Sequence, residues 1–159
     1  MSLEILDHGR MRGQGRFLLS ILVSGPKDLS SPIAIPGKHC VIFLAMDACP
    51  MSADEIGNIA NWALAQGAVY LCVWGPDCER VHDIMDEVVA DRNFDETDED
   101  VVMATWHDDE TLEEALWFAV NSAFAVGAYE QTCKTLVTVT IGNQDWGSRI
   151  AKTLSESIG

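Results

Sequence analysis

What the chain has least of is positive charge: ten Lys and Arg stand against 25 Asp and Glu, for a formal net charge of −15. The shortage is uneven. Residues 1–38 hold five bases against three acids, whereas residues 39–159 hold five against 22. A body of that sign repels phosphate backbones and anionic lipid, which argues against nucleic acid and membrane as partners and favours basic proteins or cationic ligands. Phosphate-binding motifs are missing as well, since neither G-x-G-x-x-G nor G-x-x-x-x-G-K-[ST] occurs. A nucleotide anchored by a standard phosphate loop is therefore not expected as cofactor. Long apolar runs are also lacking: the longest, such as residues 17–23 and 41–46, fall far short of the roughly 18 residues of a membrane span. Charged and glycine residues between Glu4 and Arg16 break up any export signal. Five cysteines, an odd number without repeated spacing, make a disulfide framework an unsuitable reading, so a cytoplasmic, reducing setting is expected.

The 159 residues, 48% of them hydrophobic, suit one domain with one core. From His39 onward two periods alternate. Residues 40–46 (CVIFLAM) form a continuous apolar run of the kind a strand covered on both faces shows. Ser52 to Glu55 then reads as a capping box, and Ile56, Ile59, Ala60, Ala63 and Leu64 follow at helical spacing as far as Gly67. The unit recurs as strand 69–74, a Gly75-Pro76 break, and a helix with Val81, Ile84, Met85, Val88 and Val89 on one stripe. A third strand, 101–106, leads through a second capping box (Thr111, Glu114) into Leu112, Ala115, Leu116, Ala119 and Val120. Residues 136–141 form the fourth strand, and Trp146, Ile150 and Leu154 mark the closing helix. Strands alternating with helices imply right-handed βαβ crossovers. The expected fold is α/β: a three-layer Rossmann-like or flavodoxin-like domain, four or five mostly parallel strands with helices on both faces, strand order left open. Residues 39–159 are the domain proper. Residues 1–38 form an N-terminal arm and loop in which 17–23 adds a fifth strand, 9–15 is a flexible arm and 26–37 a loop; the acidic run 95–100 reads as a solvated loop.

In such a sheet, ligands bind beyond the carboxyl ends of the strands. Asp47, Trp74, Asp77, Trp106, His107 and Asn143 are the residues expected to line a ligand site there. Several have plainer roles: Asp77, Asp109 and Asp145 sit where helix N-caps are wanted, and Trp74 and Trp106 close apolar strands. Asp47, Cys78, His107 and Asp108 are the catalytic candidates, with Cys78 as nucleophile, His107 as base and Asp108 as its orienter. The helix dipole would favour a Cys78 thiolate, while Asp77 and Glu79 oppose it. Cys49, Cys78, His82 and His107 are the metal candidates: two sulfurs and two imidazoles would suit zinc, although C-x-x-x-H alone is a weak signature. His82, Asp83, Asp86 and Glu87 share a helix face read as solvated, and Trp117 with Phe118 widens the next helix's apolar side, implying either deep burial or a homo-oligomer contact.

The strings VYLCVWGPDCERVHDIMDE (69–87), ATWHDDETLEEALWF (104–118) and VTVTIGN (137–143) resemble an uncharacterised family of small bacterial α/β domains, over roughly residues 39–144. That resemblance implies the same fold class and a bacterial source, and it brings no catalytic residues to carry over. Two functional readings stand: a noncatalytic, acidic interaction module recognising a protein partner or a small non-phosphate ligand, and a small hydrolase or metal-assisted enzyme working through Asp, Cys and His at the sheet edge.

Overall fold

The computed structural model describes residues 5–11, 13, 15–92, 101–125 and 127–157. The acidic run 95–100 lies outside the described residues. Among the described residues, six strands and four α-helices follow in the order β1 (Ile5–Arg10), β2 (Phe17–Val23), β3 (His39–Ala45), α1 (Ala53–Ala65), β4 (Ala68–Trp74), α2 (Cys78–Arg92), β5 (Met103–Trp106), α3 (Leu112–Asn121), β6 (Cys133–Ile141) and α4 (Gln144–Glu156). One sheet holds all six strands in the order β1-β2-β6-β3-β4-β5. Every pairing is parallel except β1 with β2. The α/β class is as expected; the strand count is six rather than four or five.

The additional strand is β1, where the sequence indicated a flexible arm from Gly9. Its register against β2 shifts between Asp7 and Gly9, and Gly9 has φ 94°. A bulge breaks the period-two alternation that identifies strands. An edge strand with half-exposed faces also gives no apolar run. His8 ties β1 down through an Nε2 contact of 2.8 Å with the Ser20 hydroxyl.

The two faces of the sheet are covered by different helix pairs. Ile56, Ile59 and Ala63 of α1 and Val81 and Met85 of α2 pack on one face with Ile42, Leu44, Leu71 and Val139. Leu112, Leu116 and Ala119 of α3 and Ile150 and Leu154 of α4 pack on the other with Val41, Phe43 and Leu136. Burial on both sides is why the central strands read as unbroken apolar runs. Both expected capping boxes are present: the Glu55 amide donates to Ser52 Oγ and the Glu114 amide to Thr111 Oγ1, each at 3.1 Å. The loop from β2 to β3 lies over the first face, where the Trp62 indole donates to the Ser31 carbonyl at 2.9 Å. On α3, Phe118 turns inward against Tyr70 and His107, whereas Trp117 remains 61% exposed.

Arg16 closes the far end of α3. It is buried, and its guanidinium donates to the carbonyls of Ala119 and Ala123, each at 3.0 Å, and to that of Val120 at 3.5 Å. These carbonyls lack helical partners, and the cation complements the negative end of the helix dipole. Burial nevertheless pushes the guanidinium pKa down from its usual value. Among the described residues, no helix is long and apolar enough to cross a membrane.

Candidate functional site

Helix placement fixes where the sheet opens. β3 and β4 lead into helices on one face, β5 and β6 into helices on the other. In the strand order β6-β3-β4-β5 the outgoing chain therefore diverges at two places, between β6 and β3 and between β4 and β5. Each divergence leaves a crevice at the carboxyl ends of the strands.

Both crevices are present as cavities. Between β4 and β5, Trp74, Gly75, Pro76, Asp77, Cys78 and Glu79 face His107, Asp108, Asp109 and Glu110 around about 520 Å³, with Trp146 at the side. Between β6 and β3, Asp47, Met51, Glu55, Gly142 and Asn143 line about 540 Å³. Pro76 and Trp146 border both. The single edge expected from sequence is thus two adjoining clefts. Trp74, Asp77, Cys78, His107 and Asp108 come together in one, while Asp47 and Asn143 lie in the other. Trp106 lines neither cleft; it is 40% exposed and lies against His82, with ring centroids 4.5 Å apart.

Local structure in the β4–β5 cleft follows from a close approach of backbones. The amides of Met46 and Ala48 donate to the carbonyls of Trp74 and Pro76, at 3.2 and 3.1 Å, and bring the loops after β3 and β4 together. Gly75 is required there, because it has φ 122° and a Cβ on it would overlap the Met46 carbonyl oxygen. Asp77 and Asp109, on facing sides of the cleft, both adopt left-handed backbone, with φ 66° and 57°. Aspartate tolerates this conformation better than most residues. Neither caps a helix as the sequence indicated: the Asp77 carboxylate accepts from Arg80 Nε at 2.7 Å, and Thr111 caps α3. At α4 the cap is Asn143, whose Oδ1 accepts from the Trp146 amide at 2.9 Å, and Asp145 instead faces Arg149. The same Arg80 donates to the carbonyls of Ala48 at 2.6 Å and Met51 at 2.9 Å, stapling the wall between the clefts. Sequence reading passed over Arg80; its position three residues after Asp77 was the available signal.

His107 is buried, with Nδ1 2.6 Å from Glu110 Oε2 and Nε2 2.9 Å from Thr105 Oγ1. A carboxylate only accepts, so in the neutral imidazole Nδ1 carries the proton and Nε2 accepts the Thr105 hydroxyl. Both nitrogens are engaged, and Thr105 does not line the cleft. Burial pushes the Cys78 thiol up, with Asp108 and Glu79 acting in the same direction against a backbone hydrogen bond from His107. These features favour a retained thiol over a nucleophilic thiolate. Cys49 is exposed, its thiol pushed up first by its hydrogen bond to Asp47. Among the described residues, no three His, Cys, Asp or Glu side chains gather as a metal site would need. Cys78 is packed in the core and His82 lies against Trp106, so the zinc set of Cys49, Cys78, His82 and His107 is not assembled.

What the cleft does present is negative charge beside aromatic surface. Asp77, Glu79, Asp108, Asp109 and Glu110 line it without a Lys or Arg. Asp77 and Glu110 have cationic or imidazole partners, while Glu79, Asp108 and Asp109 form no ion pair among the described residues. Trp74 and Trp146 meet edge to face, centroids 4.9 Å apart, and the Trp74 indole is fixed by donating to the Glu110 carbonyl at 2.9 Å. Glu110, three residues after His107 in an irregular loop, carried no sequence spacing that would reveal its contact.

A mostly parallel α/β sheet covered on both faces, with a cleft at each point where its connections diverge, defines the class of domain. The chain belongs to the family described as Domain of unknown function (DUF7684), whose model matches residues 21–157. That match extends beyond residues 39–144 at both ends and takes in the last three residues of β2. No curated protein matches the chain.

Proposed function

We propose that this chain is a binding domain whose β4–β5 cleft receives an organic cation, an ammonium or guanidinium group borne by a small ligand or by a basic protein partner. The observation that carries this reading is the pairing of five carboxylates with two tryptophans in a cleft lined by no Lys or Arg. Carboxylates at short range favour a cation, and an indole face adds roughly 0.5–2 kcal/mol of cation–π attraction. Organic cations suit the cleft better than metal ions, because its carboxylates do not converge on one point. Phosphate ligands are disfavoured by the same charges. Five free thiols support a reducing, cytoplasmic setting.

Calorimetric titration with a capped Gly-Arg-Gly peptide tests the reading, with the citrulline analogue as the neutral control. Saturable binding of the arginine peptide, weakened at least tenfold in an Asp108→Asn, Asp109→Asn double variant, is the expected result. Equal responses to arginine and citrulline would reject it. Asparagine preserves shape and tolerance of left-handed backbone, so the variant removes charge with little else.

A further inference from the structure

The opposite end of the sheet carries the opposite sign. Beside the first residues of β2 and β6, Arg10, Arg16, Phe124, Glu130, Cys133 and Lys134 line a cavity of about 440 Å³. Three cations against one carboxylate make it locally positive in a chain of net charge −15. Acids outnumber bases 25 to ten, and Arg80 and Arg149 are accordingly ion-paired. Arg10 and Lys134 form no ion pair with any described carboxylate, Glu130 included.

The three cations differ in how they are held. Arg16 is committed to the carbonyls at the end of α3 and forms a fixed floor, with its guanidinium 4.9 Å from the centre of the Phe124 ring. Arg10 is steadied by an Nε–H bond of 3.2 Å to the Gly15 carbonyl and by the Phe17 ring 5.0 Å away, which leaves its terminal nitrogens without an acceptor among the described residues. Lys134 is exposed and its ammonium has no acceptor among the described residues. The α-helix end at this cavity is the C-terminus of α3, which presents carbonyls in place of the bare amides on which phosphate sites depend. A planar guanidinium beside an ammonium matches carboxylates instead.

We propose that this cavity is a second binding site, for a small organic di- or tricarboxylate received by the Arg10 terminal nitrogens and the Lys134 ammonium. The site is separate from the β4–β5 cleft and stands whether or not that cleft binds cations. Calorimetry on the full chain at low ionic strength, with citrate and with inorganic phosphate as probes, tests it. Expected are saturable citrate binding, phosphate at least tenfold weaker, and a loss of tenfold or more in citrate affinity in Arg10→Gln and in Lys134→Gln. Lys134→Arg should restore binding, and Asp108→Asn should leave it unchanged. Citrate should also slow alkylation of Cys133, read by peptide mapping. Absence of saturable binding, phosphate binding as tightly as citrate, or citrate binding indifferent to both substitutions would overturn the proposal. Arg10 and Lys134 are exposed, so the variants should keep the wild-type thermal midpoint, which shows that any loss is not unfolding.

Discussion

Two glycine-to-alanine substitutions should change stability in opposite directions, and the difference measures the strand-end contact that shapes the cleft. At Gly75, φ 122° is a conformation that alanine rarely adopts, a cost of about 1–3 kcal/mol. A Cβ there would also overlap the Met46 carbonyl oxygen, which is backbone and can retreat only by pulling β3 from β4. That movement strains the Met46–Trp74 and Ala48–Pro76 hydrogen bonds, each worth about 1 kcal/mol. The total is about 3–5 kcal/mol, a large share of the roughly 5–15 kcal/mol that stabilises a domain. Gly57 lies within α1 with nothing within 4 Å of an added Cβ, so Gly57→Ala should stabilise by about 0.5–1 kcal/mol. Urea unfolding followed by circular dichroism reads both, with the midpoint moving down for Gly75→Ala and up for Gly57→Ala. A wild-type midpoint for Gly75→Ala would refute the close approach, and with it the origin of the cleft wall at Pro76.

Other perturbations separate structural from functional roles. Arg16→Met leaves buried carbonyls at the end of α3 unsatisfied and removes a cation from its dipole, for a loss of about 3 kcal/mol and about 6–12 °C in Tm; a change below 2 °C in a thermal scan would contradict the cap. The Arg149 guanidinium holds the Glu113 carboxyl below its usual range, so this pair stabilises fully above the unfolded carboxyl pKa and the benefit fades as pH falls through the lowered folded value. Unfolding midpoints measured across pH 2–6 should accordingly show a shallower acid slope in Arg149→Gln. Iodoacetamide at neutral pH should label exposed Cys49 before buried Cys78, and reach Cys40 and Cys72, whose thiols are pushed up to about 12, only on unfolding. Faster labelling of Cys78 than of Cys49 would instead favour an activated thiolate and an enzymatic role.

Much of the fold could be read from periodicity because the central strands are buried on both sides. Residues 40–46 and 69–74 are continuous apolar runs for that reason, and Ser52 and Thr111 announced their helices through capping boxes. β1 was hidden because an edge strand with a bulge neither alternates cleanly nor stays apolar. The candidate site was legible as a list of loop residues and no further. Which loops meet depends on strand order: β6 beside β3 brings Asn143 to Asp47, while β4 stands between β3 and β5 and leaves His107 in the other cleft. Aspartates flagged as caps proved otherwise for a local reason: Asp77 has left-handed backbone and an arginine three residues on, which directs its carboxylate to a side chain instead of to helix amides.

The central claim, that the β4–β5 cleft takes a cation against its tryptophans, is tested most directly by following the indole N–H resonances of isotopically labelled protein during titration with the arginine peptide. The Trp74 and Trp146 signals should shift saturably while that of exposed Trp117 stays in place, and the shifts should shrink as salt is raised. Unmoved Trp74 and Trp146 signals, or equal shifts with the citrulline peptide, would contradict the account.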